Sequence, residues 1–220
     1  SPGEKDKDPE RALRLIRKWT DANRSRSDYD ANQDNAYQSL ATAFRQSSRP
    51  EGLEDALKDE LVHKPGAWAQ YAIRHELSTL YTGQERYAEA VEQMQTARDA
   101  LKGENGSILT SRYMMAMHEI GLIYKASGET QKAAEALEAY LNTTKGQQNC
   151  FDAGKELGDL YEQAKEWDKA RTLYGKIIAI PFPHAANPAF IEKCRDEFRK
   201  RLSRLEHREV EANTPSDRTR

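Results

Sequence analysis

No stretch of this chain approaches the roughly 18 consecutive apolar residues that a membrane-spanning helix needs. Its longest apolar run, about Ile177 to Pro183, carries two prolines in its second half. Cysteine is nearly missing. Cys150 and Cys194 stand alone, without the spacing of a zinc site or the number needed for a disulfide framework. Both fall at helical positions, where they read as small buried hydrophobes. They fit a reducing, cytoplasmic compartment. A periplasmic or otherwise exported one stays open, because the chain begins Ser1-Pro2-Gly3-Glu4-Lys5, with neither methionine nor an apolar signal region, and reads as part of a longer or processed protein. A surplus of one charge is also lacking: 34 basic residues face 36 acidic ones, a net charge of −2, so nothing marks the whole chain as a polyanion binder. There is no Gly-rich phosphate loop, nucleophile elbow or metal-spaced Cys/His cluster. The expectation is a protein that is not an enzyme, with no cofactor and no metal.

What the chain does have is periodicity. Charged residues make up 32% and mean hydropathy is −0.93, polar for a globule but suited to an elongated array with much wet surface. The apolar residues recur at helical spacing, which argues against wholesale disorder. Three segments repeat: His75-Glu76-Leu77-Ser78-Thr79-Leu80-Tyr81, His118-Glu119-Ile120-Gly121-Leu122-Ile123-Tyr124 and Lys155-Glu156-Leu157-Gly158-Asp159-Leu160-Tyr161. They start 43 and 37 residues apart. Leu40-Ala41-x-x-Phe44, 37 residues before Leu77, is a degenerate first copy. A second apolar helical pattern follows each copy: Leu53, Ala56, Leu57 and Leu61; Tyr87, Ala90, Val91, Met94 and Ala97; Ala133, Ala134, Leu137 and Tyr140; Trp167, Ala170, Tyr174 and Ile177. A repeat of this length predicts stacked helical hairpins, each burying its apolar face only against its neighbours. A helix glycine costs about 1 kcal/mol relative to alanine, so Ser78, Gly121 and Gly158 mark places where two helices must approach closely.

Leu157-Gly158-x-x-Tyr161 with Ala170-x-x-x-Tyr174, Ile120-Gly121-x-x-Tyr124 with Ala133-x-x-x-Leu137, and Leu77-Ser78-x-x-Tyr81 with Ala90-x-x-x-Met94 resemble the tetratricopeptide repeat (TPR). The early Trp of each first helix is missing and the closing Pro is weak. The periods exceed the usual 34 residues and look like the extended repeats of the LGN and kinesin light chain type. The fold expected is all-α, a TPR-like right-handed solenoid of about four helical hairpins with an extra helix at each end. Its repeats lie near 28–63, 66–102, 107–144 and 148–180 within a solenoid over 9–211, and segments 1–8 and 212–220 read as disordered. Asp8-Pro9-Glu10 starts the N-terminal helix. With Ala12, Ile16 and Trp19 it is either the second half of an upstream repeat or a simple cap. Pro181-Phe182-Pro183 interrupts the array, and a helix over 187–211 with Ile191, Cys194, Phe198, Leu202 and Leu205 caps it.

The resemblance implies that first helices line a concave groove that takes a peptide or a partner helix. Helical spacing puts Ala72, Glu76, Thr79 and Gly83 on that stripe in the second unit, Met115, Glu119, Leu122 and Ala126 in the third, and Asp152, Glu156, Asp159 and Gln163 in the fourth. His75 and His118 stand at its margin. Glu76, Glu119 and Glu156 recur at one position, so the partner expected is a basic or amphipathic protein or peptide. The Lys/Asn/Arg clamp with which such proteins hold a chaperone's carboxylate tail is absent and its charge inverted, at Ala72, Glu76, Glu119, Asp152 and Glu156. His75-Glu76 and His118-Glu119 lack a His-Glu-x-x-His arrangement and read as groove or surface residues rather than metal ligands. The alternatives are a structural subunit of a larger complex with no separate ligand, and a nucleic-acid-binding solenoid using the basic C-terminal helix. In that helix acids alternate with Lys193, Arg195, Arg199, Lys200, Arg201, Arg204 and Arg208, in pairs such as Glu197–Arg201 and Asp196–Lys200.

Overall fold

In the computed structural model the described residues are 9–23, 29–46, 52–62, 66–102, 107–182 and 187–213, and every regular element among them is an α-helix. The chain divides into two units, Ser1–Ser127 and Gly128–Arg220, at the turn of the third expected hairpin. The first unit holds α1 (Pro9–Asn23), α2 (Tyr29–Gln46), α3 (Gly52–Val62), α4 (Ala67–Gly83), α5 (Tyr87–Ala100) and α6 (Ser107–Ala126). The second holds α7 (Thr130–Thr143), α8 (Cys150–Gln163), α9 (Trp167–Ile178) and α10 (Pro188–Asn213). The expectations for residues 1–8 and 214–220, the Asp8 cap and Pro183 of the interrupting segment lie outside the described residues. α2 starts at Tyr29, at the head of the first expected repeat, and no Gly or Pro interrupts the chain between there and Gln46.

In the first unit α4 packs against α2, α3, α5 and α6. Leu77 and Tyr81 of the repeated segment are buried with Ile73, Met94, Ala90 and Ala97. α1 packs on α2, and its Arg17 reaches past it to α3: Nε donates to Glu60 at 2.7 Å and Nη2 to Asp59 at 2.6 Å. α3 stands to its followers in the same way, packing on α4 and bonding through Glu54 to Arg86 at the head of α5. α1 therefore sits in the register of a second helix.

In the second unit α8 packs between α7 and α9, and α10 packs on α9. Leu157, Tyr174 and Ile177 are fully buried, and Phe198 of α10 lies against Phe151 and Tyr174, with ring centroids 6.1 and 5.6 Å apart. Gly158 permits this packing. A Cβ there would come within 2.5 Å of the Tyr174 ring.

The turns repeat as faithfully as the helices. Glu85, Gly128 and Lys165 have positive φ (60°, 79° and 59°) and are spaced 43 and 37 residues apart, like the segments before them. Arg86 N–H then donates to Tyr81 O at 2.9 Å, and Glu166 N–H to Tyr161 O at 2.8 Å. Two of these left-handed positions carry a side chain, which sequence pattern alone does not reveal.

Candidate partner-binding groove

In the first unit, the first helices of successive repeats are α2, α4 and α6. A cleft of about 420 Å³ opens between α2 and α4. His75, Glu76 and Thr79 line it from α4, facing Ser39, Thr42 and Arg45 of α2. Ser39 and Thr42 are the 37-residue equivalents of Glu76 and Thr79, so the degenerate first copy contributes the same stripe without its acid. That shift was readable from the sequence and would have found them. Arg45 lies outside the equivalent stripe, and no spacing pointed to it.

Polar contacts join the three helices. Arg45 Nη2 donates to Glu76 Oε2 at 3.2 Å, and the other Glu76 oxygen lies 4.0 Å from His75 Nδ1. His75 Nε2 is 3.0 Å from Glu119 Oε1 on α6. The histidine is half-buried and linked to the neighbouring repeat, where the sequence suggested a groove or surface residue at the margin. Glu76 is only 7% exposed. It belongs to the wall of the groove more than to its open face. Thr79 is exposed and donates to its own helix at His75 O, 3.0 Å away. On α6, Met115 is 37% exposed, Leu122 and His118 are half-buried, and Arg112 lies over the rings of Trp68 (5.2 Å) and Tyr71 (5.5 Å) of α4.

In the second unit Asp152 is exposed and Glu156 half-buried on α8. Asp159 is already engaged: Arg201 of α10 donates to it at 2.6 Å and to Tyr174 Oη at 3.3 Å, and lies 3.7 Å from Glu162. The protein's own terminal helix thus takes one of the expected groove acids. Burial, and the bond it makes to Glu162, push the Tyr174 hydroxyl up to about 12. On α10, Arg195 pairs with Glu192 and Arg199 with Asp196, so Asp196 is held one residue short of the expected Lys200 partner. The expected Glu197–Arg201 pair is present at 3.9 Å.

The repeated tyrosine does more than fill the core. Tyr81 Oη donates to Glu54 on the preceding second helix at 3.0 Å, and Tyr161 Oη donates to Glu138 on its own preceding second helix. A cation covers each ring: the Arg86 guanidinium at 4.1 Å from Tyr81 and the Lys169 ammonium at 5.5 Å from Tyr161. Burial pushes the Cys150 thiol up to about 11, which suits an inert core residue.

Similar architectures occur among solved structures. BtubC (BKLC) from P. vanneervenii matches over 96% of this chain and 94% of its own, with a TM-score of 0.56 at 17% identity. A Podospora anserina protein described as a kinesin light chain with nearly identical TPR-like repeats matches over 94% and 89%, with a TM-score of 0.53 at 18% identity. The fold is TPR-like. At these identities the likeness is one of architecture: an all-α array of helical repeats. No family model and no curated protein matches the sequence. Among the described residues no helix is long and apolar enough to cross a membrane, and no cluster of His, Cys, Asp and Glu is arranged to hold a metal ion.

Proposed function

We propose that this protein is a non-catalytic interaction scaffold whose first helices hold a basic or amphipathic peptide or helix. In the first unit Glu119 on α6 supplies negative charge, and in the second unit Asp152 and Glu156 on α8 form an acidic stripe of their own. Met115 and Leu122 supply apolar contact, and His75, Thr79 and His118 the polar margin. The observation that carries this reading is the cleft between α2 and α4, where His75, Glu76 and Thr79 of the repeated stripe meet open space. Glu76 has a positioning role: its bond to Arg45 and its approach to His75 fix the wall beside Glu119. The basic C-terminal helix is a weaker site for nucleic acid, because Arg195, Arg199 and Arg201 each face a carboxylate.

The test uses a labelled amphipathic Leu/Lys peptide of about 15 residues, long enough for four helical turns, and fluorescence anisotropy on the whole chain. Glu119→Lys in the first unit together with Glu156→Lys in the second is expected to weaken binding roughly tenfold or more, since each reversal replaces an attraction by a repulsion within its own unit. Glu76 is left alone, because a lysine there would face Arg45 in a buried wall. A peptide ending in an aspartate carboxylate should stay unbound. Equal affinity for the Leu/Lys peptide before and after the double reversal would sink the acidic groove.

A further inference from the structure

The second unit carries another cleft, of about 860 Å³, built by second helices rather than first. Its walls are α7 and α9, and the side chains of Leu157 and Tyr161 on α8 form part of its floor. Leu141, Leu173, Ile177 and Ile180 make it apolar within, while Lys145, Lys169 and Lys176 stand exposed at its rim. Of the carboxylates among its lining residues, Asp168 accepts from the cationic Arg171, while Glu138 accepts from the neutral Tyr161 hydroxyl and keeps its charge. Lys169 lies 2.9 Å from Glu166. Lys145 and Lys176 meet no carboxylate among the described residues. The cleft therefore presents an apolar floor beneath a net positive rim, Lys145 and Lys176 against the single charge of Glu138, within the roughly 300–1,000 Å³ typical of ligand-taking clefts.

We propose that this cleft docks an acidic amphipathic segment of a partner protein, with apolar side chains against Leu141, Leu173 and Ile180 and carboxylates against Lys145 and Lys176. An apolar face rimmed by unspent cations selects a segment that carries both features, because the apolar surface supplies affinity and the charges exclude basic competitors. The site is separate from the groove proposed above and takes a ligand of opposite sign.

The experiment measures anisotropy of a labelled Leu/Glu amphipathic peptide of about 15 residues titrated with the whole chain. Binding is expected, and Lys145→Glu with Lys176→Glu should weaken it about tenfold. Thr172→Glu, at an exposed position of the same lining, should weaken it similarly while leaving the circular dichroism melt unchanged. Glu119→Lys with Glu156→Lys should not weaken it, which separates this site from the acidic groove. Unchanged affinity in both cleft variants overturns the proposal. So does self-association of the chain that the lysine reversal abolishes, which would give the cleft to a second copy. Dodecanoate binding in the absence of peptide binding would give it to a small amphiphile and also overturn the proposal.

Discussion

Gly158 and Gly154 sit one helical turn apart on α8, and they separate two kinds of small-residue requirement. A Cβ on Gly158 would meet the Cε1 and hydroxyl of Tyr174 at 2.5 Å. That ring has nowhere to go: it is fully buried, lies against Phe198, and its hydroxyl is bonded to Glu162 and Arg201. A Cβ on Gly154 would instead meet first the Cδ1 tip of the buried Ile177 at 2.2 Å, with Ile177 Cγ1 and Phe198 Cζ at 3.3 Å, so any relief must come from the tip of one side chain. Alanine brings about 1 kcal/mol of helix propensity at either position, against an overpacking cost of about 1–3 kcal/mol where neighbours cannot move. Both substitutions are therefore expected to destabilise, Gly158→Ala the more, because its obstacle is a fixed ring and that of Gly154 is a side-chain tip. Urea midpoints of the two variants check the order. The repeat motif announced Gly158. It did not announce Gly154, which falls outside the Leu-Gly-x-x-Tyr pattern.

At the scale of the element, one carboxylate joins three helices. Glu54 on α3 accepts two bonds from Arg86 at the head of α5, at 2.7 and 3.1 Å, one from Lys58 at 2.6 Å and one from Tyr81 of α4 at 3.0 Å. These donors, Arg86 foremost, lower its carboxyl from 4.5 to about 2. A carboxylate lowered on folding stabilises the fold fully above its ordinary value, and that stabilisation is lost as pH falls from 4.5 toward 2. Glu54→Gln should cost about 1–2 kcal/mol at neutral pH, the worth of a charge-assisted bond, and the gap to the unaltered chain should close as pH falls through that window. Urea melts at pH 7 and near pH 2 would show it. A gap that persists in acid means the charge is not its source. The register of α3, α4 and α5 was legible in Leu57, Leu77 and Ala90, because burial follows the helical period. The Glu54 tie was not, because its partners stand up to 32 residues away and helical spacing says nothing across elements. The same limit hid Arg45 from Glu76 and Arg201 from Asp159. Helical spacing aligns the candidate residues along each first helix but does not tell which of their acids the chain itself engages.

At the scale of the molecule, the helices that pack most closely within each unit are close in sequence, such as α2 with α4 and α4 with α5 in the first and α9 with α10 in the second. In such a unit each helix contacts only its neighbours in the stack, and stability is nearly a sum over neighbouring elements. Periodicity made the helices and their order readable, since each repeat restates the last, but not the division at Ser127–Gly128. That division falls at a turn whose left-handed residue has counterparts at Glu85 and Lys165, so nothing local distinguishes it. Each side has a core of its own: Leu40, Leu57, Ile73, Leu77 and Met94 in the first unit, Leu137, Leu157, Tyr174 and Ile177 in the second, all buried to 0–1% exposure. Fragments 1–127 and 128–220 are therefore each expected to fold alone, with helical circular dichroism and a cooperative urea transition. The longer fragment should show the steeper dependence on urea, because that slope scales with the surface exposed on unfolding. With so few long-range contacts, both should refold within about milliseconds in stopped-flow mixing. A fragment that melts without a cooperative transition would mean that its buried leucines and tyrosines need the rest of the chain to hold them.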